Sequence, residues 1–348
     1  MSKAKRNIGY DLIRIIAIFM VVAIHSHVAP VAINHGSVEW FVVLLMQTIC
    51  LISVPLFFMV SGALLLSEEK ETSVSELYKS RLPKQAVPFI VWSIIYVVAR
   101  ILMGKISLSL SAFTSLLHEP AYYQFWFMYT LLAIYLLLPI IQTLIKHCDK
   151  KKFEYILVLW AVFCIAVPIV SRYVPGFKIS EHVGLVLCEG YIGYFLLGHY
   201  LRKYKSEIKP KTGAVCWLIG AIGTFTFAAV EFITTKKAGV TYTGFVYQAY
   251  LTPFVALSSC GAFVTFSNRR YELKEKAQGV VVAISSLSIG VYYIHMLVLT
   301  VLEKIGVTGD NNILVLGVKI IATYVISLIG AFVISKIPVV RKILLGAK

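Results

Sequence analysis

Apolar runs of about 20 residues recur from one end of this chain to the other, and that constrains its fold more than any other feature. A helix rises 1.5 Å per residue, so about 20 apolar residues match the hydrocarbon thickness of a bilayer. Only 14% of the 348 residues are charged and 59% are hydrophobic. A water-soluble domain carries roughly a quarter charged residues, so it cannot conceal this much apolar surface. The fold class is therefore an all-α polytopic membrane protein, its backbone polar groups satisfied within each helix. A window of about 19 residues gives about ten transmembrane helices. They lie near 8–30, 39–66, 86–104, 125–145, 153–171, 185–203, 212–234, 243–266, 280–303 and 312–335. The second is over-long and contains Pro55, so a bend is expected there.

The first run carries no small-residue cleavage pattern and reads as the first helix, not as a leader. The whole of 1–348 reads as one membrane domain. Alternate connections collect the basic residues: "MSKAKR", "KSRLPK", "KHCDKKK", "RKYKSEIKPK", "NRRYELKEKA" and "KIPVVRK". About 24 Lys and Arg fall on that side and about seven on the other, so it is expected to be cytoplasmic, with both termini there. The multi-pass protein is expected in the cytoplasmic (inner) membrane. The net charge of +16 then reflects topology and contact with anionic lipid, and no nucleic acid is expected as a partner. The six cysteines are scattered without C-x-x-C spacing, so neither a disulfide framework nor a metal site is expected.

The first run, "YDLIRIIAIFMVVAIHSH" (Tyr10 to His27), places Asp11, Arg14, His25 and His27 in an oily segment. Arg14 and His25 are eleven residues apart, so they share one helix face within about 20° and lie roughly 16 Å apart along the axis. Asp11 can pair with Arg14 one turn later. It cannot also orient His25, about 21 Å away, which excludes a catalytic triad within this helix. His27 turns to another face and is expected at the interface. Either residue of the pair could snorkel to headgroups. Two ionisable groups on one face point instead to a lined cavity.

With these residues in view, "DLIRIIAIFMVVAIH" resembles the opening helix of the acyltransferase family 3 membrane proteins, marked by an Arg and a His separated by ten residues. Further segments resemble that family in its own order: "PLFFMVSGALL", "RLPKQAVPFIVW", "FWFMYTLLAIYLLLP", "GYFLLGHYL" and "SLSIGVYYIHMLVL". The resemblance implies an integral-membrane enzyme. It would move an acyl group, often acetyl, from cytoplasmic acyl-coenzyme A to a hydroxyl of a carbohydrate or other envelope acceptor. A fused esterase-like or racemase-like domain is not expected.

On that reading Arg14, with Arg81 and Lys84 as helpers and Ser61 nearby, holds the phosphates of coenzyme A, since guanidinium suits phosphate. His25 is the general base, or alternatively carries the acyl group itself. His295 is either a second catalytic or orienting group or a core histidine. Ser61 before Gly62 also fits close helix packing. Trp126 and Tyr122 are candidate acceptor contacts or belt aromatics. Glu189 and Glu231 lie towards the mouth where an acceptor enters, and His118, His147, His182 and His199 are expected in solvated connections. A transporter or flippase is the competing class; it would use Arg14 and His25 as a relay.

Overall fold

The computed structural model describes residues 6–27, 36–66, 71–174, 176–177, 190–237, 249–309 and 312–347. Helix is the one regular structure among these residues, with no strand. In order they form α1 (Ile8–Ser26), α2 (Val38–Cys50), α3 (Ser53–Leu65), α4 (Val74–Leu102), α5 (Trp126–Lys146) and α6 (Lys150–Tyr173). Then follow α7 (Ile192–Lys203), α8 (Pro210–Lys237), α9 (Pro253–Ser267), α10 (Glu275–Ser286), α11 (Ser288–Lys304), α12 (Ile313–Lys336) and α13 (Pro338–Leu345). Seven segments among the described residues are long and apolar enough to cross a membrane, or eight if the bent pair α10–α11 is one span. Shorter α7 and α9 stand in the two remaining expected spans, whose starts lie outside the described residues.

Prolines account for three of the irregularities. The second span breaks at Leu51 and Ile52, so that α2 and α3 are two pieces. Pro55 lacks an N–H, and its ring crowds the carbonyl four residues back, which is Leu51. The same geometry explains two stretches of π-helix. Leu77–Arg81 contains the residue four before Pro83, and Ala161–Ala166 the residue four before Pro168.

The chain divides into two units: residues 1–65 with 148–327, and residues 66–147 with 328–348. In the first, glycines set the helix crossings. A Cβ on Gly62 of α3 would strike the Phe195 carbonyl of α7, and one on Gly198 of α7 would strike the Met59 carbonyl of α3. The two backbones touch at both points, as small residues permit between membrane helices. Gly220 and Gly261 do the same between α8 and α9. Against this frame lies α1, with Gly9 seated on the Phe266 carbonyl at the end of α9. α1 also packs on α2, α3, α10 and α11. The α10–α11 pair bends by 56° at Leu287.

In the second unit, α4 and α5 enclose an aromatic cluster of Phe89, Tyr96, Phe125 and Tyr129. Trp92 Nε1 donates to the Leu344 carbonyl (2.9 Å) and so ties α13 to α4. Gly346 ends α13 at φ +63°, with Lys84's carbonyl where a side chain would project.

Candidate active site

The site starts at the first turn of α1. Asn7 caps the helix: its Oδ1 accepts from Gly9 N (2.9 Å), and its Nδ2 donates to the Ser267 carbonyl that ends α9 (2.9 Å). Asp11 is 2% exposed, so its charge needs a partner. Arg6 supplies it, with Nε and Nη2 at 2.7 and 2.6 Å from the two carboxylate oxygens. Arg14, the partner expected from the spacing, acts on Asp11 through its charge, while Arg6 makes the hydrogen bonds. Arg6 makes them because it lies before the helix begins and can present its planar fork to both oxygens. That hydrogen bond raises the Arg6 guanidinium pKa further above its ordinary value, so Arg6 is a fixed cation.

Above this turn lies a cavity of about 480 Å³ lined by Arg6, Tyr10, Asp11, Arg14, Arg202 and Lys205, with Asn7 and Leu64 completing the wall. Four cations thus surround a single carboxylate that Arg6 already neutralises. Arg202, near the end of α7, donates to the Ala63 carbonyl of α3, which fixes it at the rim. Sequence reasoning missed Arg6, Arg202 and Lys205 as site residues. They stood in the basic stretches "MSKAKR" and "RKYKSEIKPK", which served only to orient the chain.

Farther along the same helix, the structure brings His25 and His295 together. Their rings are nearly parallel (14°), and His25 Nδ1 lies 2.8 Å from His295 Nε2. His295 is fully buried in α11, and its Nδ1 lies 2.7 Å from the Tyr292 carbonyl and 3.1 Å from that of Val291. Carbonyl oxygens only accept, so the neutral His295 carries its proton on Nδ1 and accepts at Nε2. His25 therefore donates from Nδ1, and its lone pair sits on Nε2. A neutral imidazole in that tautomer accepts a proton at a defined atom. His27 bonds through Nε2 to Gln47 Oε1, which ties the end of α1 to α2.

The other candidates are placed as follows. Ser61 is half-buried on α3 beside Gly62, at the contact with α7. Arg81 and Lys84 belong to the second unit, where Arg81 pairs with Glu76 (3.2 Å) and Lys84 is exposed. Tyr122 and Trp126, also of that unit, are half-buried at the start of α5, with the Tyr122 ring 5.4 Å from that of Tyr96. Glu189 and His182 lie outside the described residues. Glu231 is buried in α8 with Arg172 at 3.9 Å. His118 and His147 are exposed, but His199 is not: it is 4% exposed, against Phe153. The expectation of a solvated His199 fails because α7 turns this residue towards α6, where its ring packs against Phe153.

No curated protein and no solved structure matches the chain. A family model described as an acyltransferase domain matches residues 7–336 and so takes in the helices of both units. Nearly the whole chain follows that one model, from the cap of α1 to the end of α12, and the protein belongs to the acyltransferase family 3 membrane proteins.

Proposed function

We propose that this membrane acyltransferase draws an acetyl or other short acyl group from acyl-coenzyme A on the cytoplasmic side of the inner membrane. It passes that group to a hydroxyl of a cell-envelope carbohydrate or related acceptor. One observation supports the reading above the others: a cation-lined cavity at one end of α1 and an oriented histidine pair farther along it. Arg14 and His25 are eleven residues apart on one face, roughly 16 Å along the axis. An extended pantetheine arm has a reach of the same order. The phosphates of the donor lie among Arg14, Arg202, Lys205 and Arg6, where guanidinium groups give charge-assisted bonds. The donor reading needs neither Arg81 nor Lys84. Trp126, Tyr122 and Glu189 remain the proposed acceptor contacts, the first two for the stacking surface of their rings.

In the transfer, the acceptor oxygen attacks the thioester carbonyl while His25 Nε2 takes the hydroxyl proton. The C–S bond breaks as the ester forms, and the departing thiolate takes up a proton to leave as coenzyme A. His295 is a positioning residue. It holds His25 in the tautomer that presents Nε2 and accepts from the imidazolium once that has formed. The proposal takes residues 1–348 as a single acyltransferase domain.

The test is release of coenzyme A from acetyl-coenzyme A by the purified protein with a panel of carbohydrate acceptors. His25→Ala should abolish release, and Arg14→Ala should weaken donor binding. A labelled acyl group trapped on His25 in the absence of acceptor would replace direct transfer by an acyl-imidazole route. No release with any donor or acceptor, while a labelled solute crosses reconstituted vesicles, would sink the donor reading.

A further inference from the structure

A second cavity, of about 700 Å³, adjoins the first and shares Arg6, Asn7 and Lys205 with it. Its outer wall is the segment after α9, where Arg269, Arg270 and Tyr271 line it. That segment is anchored. Asn268 Nδ2 donates to the carbonyls of Lys205 and Ile208, both at 3.0 Å, and Asn7 holds the preceding Ser267 carbonyl at 2.9 Å. The ends of α1, α7 and α9 therefore meet at one seam, and its Asn7 and Lys205 line both cavities.

Together the two cavities present six cations, Arg6, Arg14, Arg202, Lys205, Arg269 and Arg270, against the carboxylates Asp11 and Glu272. Asp11 is already matched by Arg6. A pyrophosphate bound among Arg14, Arg202 and Lys205 does not account for the two further arginines of the second cavity. Basic residues that only orient a membrane helix need headgroups, not a concave wall. This wall has the volume of a small-molecule pocket.

We infer that the second cavity is a subsite for a phosphomonoester carried on the donor nucleotide, read by Arg269 and Arg270. On the acyl-coenzyme A reading above, on which this inference rests, that group is the 3′-phosphate of the adenosine, set apart from the pyrophosphate. The two arginines make the enzyme selective for a 3′-phosphorylated donor. The guanidinium of Arg269, 5.9 Å from the Tyr271 ring centroid, is steadied by that aromatic face.

The experiment compares acetyl-coenzyme A with acetyl-dephospho-coenzyme A as donors, for wild type and for Arg269→Ala/Arg270→Ala. Each is assayed in neutral detergent and in nanodiscs containing phosphatidylglycerol. Wild type should favour the 3′-phosphorylated donor by about ten- to a hundredfold in kcat/KM, mostly through KM, as expected for bonds to a charged phosphate. In the double variant the preference should fall to about twofold or less. Arg269→Gln and Arg270→Gln singly carry the same test at smaller amplitude should the double variant not fold. Equal use of both donors by wild type, or an unchanged preference in the variants, overturns the subsite. So does an effect seen only with phosphatidylglycerol, which would make the arginines headgroup contacts. A wild type that turns over neither donor rejects the coenzyme A reading itself, and the subsite with it.

Discussion

Replacing His295 by Leu removes the acceptor for His25 Nδ1–H while filling a similar volume. In the wild type that bond is 2.8 Å long, and His295 is fully buried, so no water replaces it easily. When His25 becomes an imidazolium during transfer, the bond becomes charge-assisted and contributes about 1.5–3 kcal/mol. The same substitution frees His25 to adopt the other tautomer, which points its N–H at the acceptor hydroxyl. Loss of the bond alone lowers kcat by about ten- to a hundredfold, since each 1.4 kcal/mol is about a factor of ten. The donor KM should change by less than about twofold, because the phosphate cavity is roughly 16 Å down the helix. His295→Gln should recover much of the rate, since its amide oxygen can accept from His25 Nδ1. The assay is steady-state coenzyme A release at saturating acceptor, with thermal melting of each variant in the same detergent. A folded His295→Leu protein with near wild-type kcat, or a Gln variant no better than Leu, would refute the positioning role.

Arg14→Ala and Arg202→Ala should each raise the donor KM by about tenfold or more with a smaller change in kcat, read from initial rates across donor concentration. Donor KM should also rise with ionic strength, because the cavity's cations are within reach of solvent. Arg6→Ala leaves the buried Asp11 carboxylate without its fork and should cost about 1–3 kcal/mol by thermal or denaturant unfolding. That is below the loss for a fully buried pair, because Arg6 is half exposed. Adding Asp11→Asn should return part of it. Gly198→Leu forces a side chain into the Met59 backbone of α3 and should cost at least about 1–3 kcal/mol, seen as lost monodisperse protein on size-exclusion chromatography.

What the sequence by itself determined follows from local periodicity. The lengths of the apolar runs fix a membrane-spanning, all-helical chain. The eleven-residue interval fixes Arg14 and His25 on one face of α1 whatever packs against it, because 3.6 residues per turn is a property of the backbone. Pro55 announces the break of the second span, four residues ahead of its ring. Tertiary structure decided the partners. Asp11 takes its two hydrogen bonds from Arg6, just ahead of α1, while Arg14 adds a favourable charge one turn later. His25 found His295 across 270 residues, and no spacing encodes a contact of that span. Arg202 and Lys205 read as topology signals in the sequence. They became cavity walls because Gly62 and Gly198 let α3 and α7 cross backbone to backbone, which carries the end of α7 to the cap of α1. Helical periodicity tells each residue which side of its own helix it occupies. Which helix faces that side is settled by shape at the crossings, where a missing Cβ decides how closely two backbones approach.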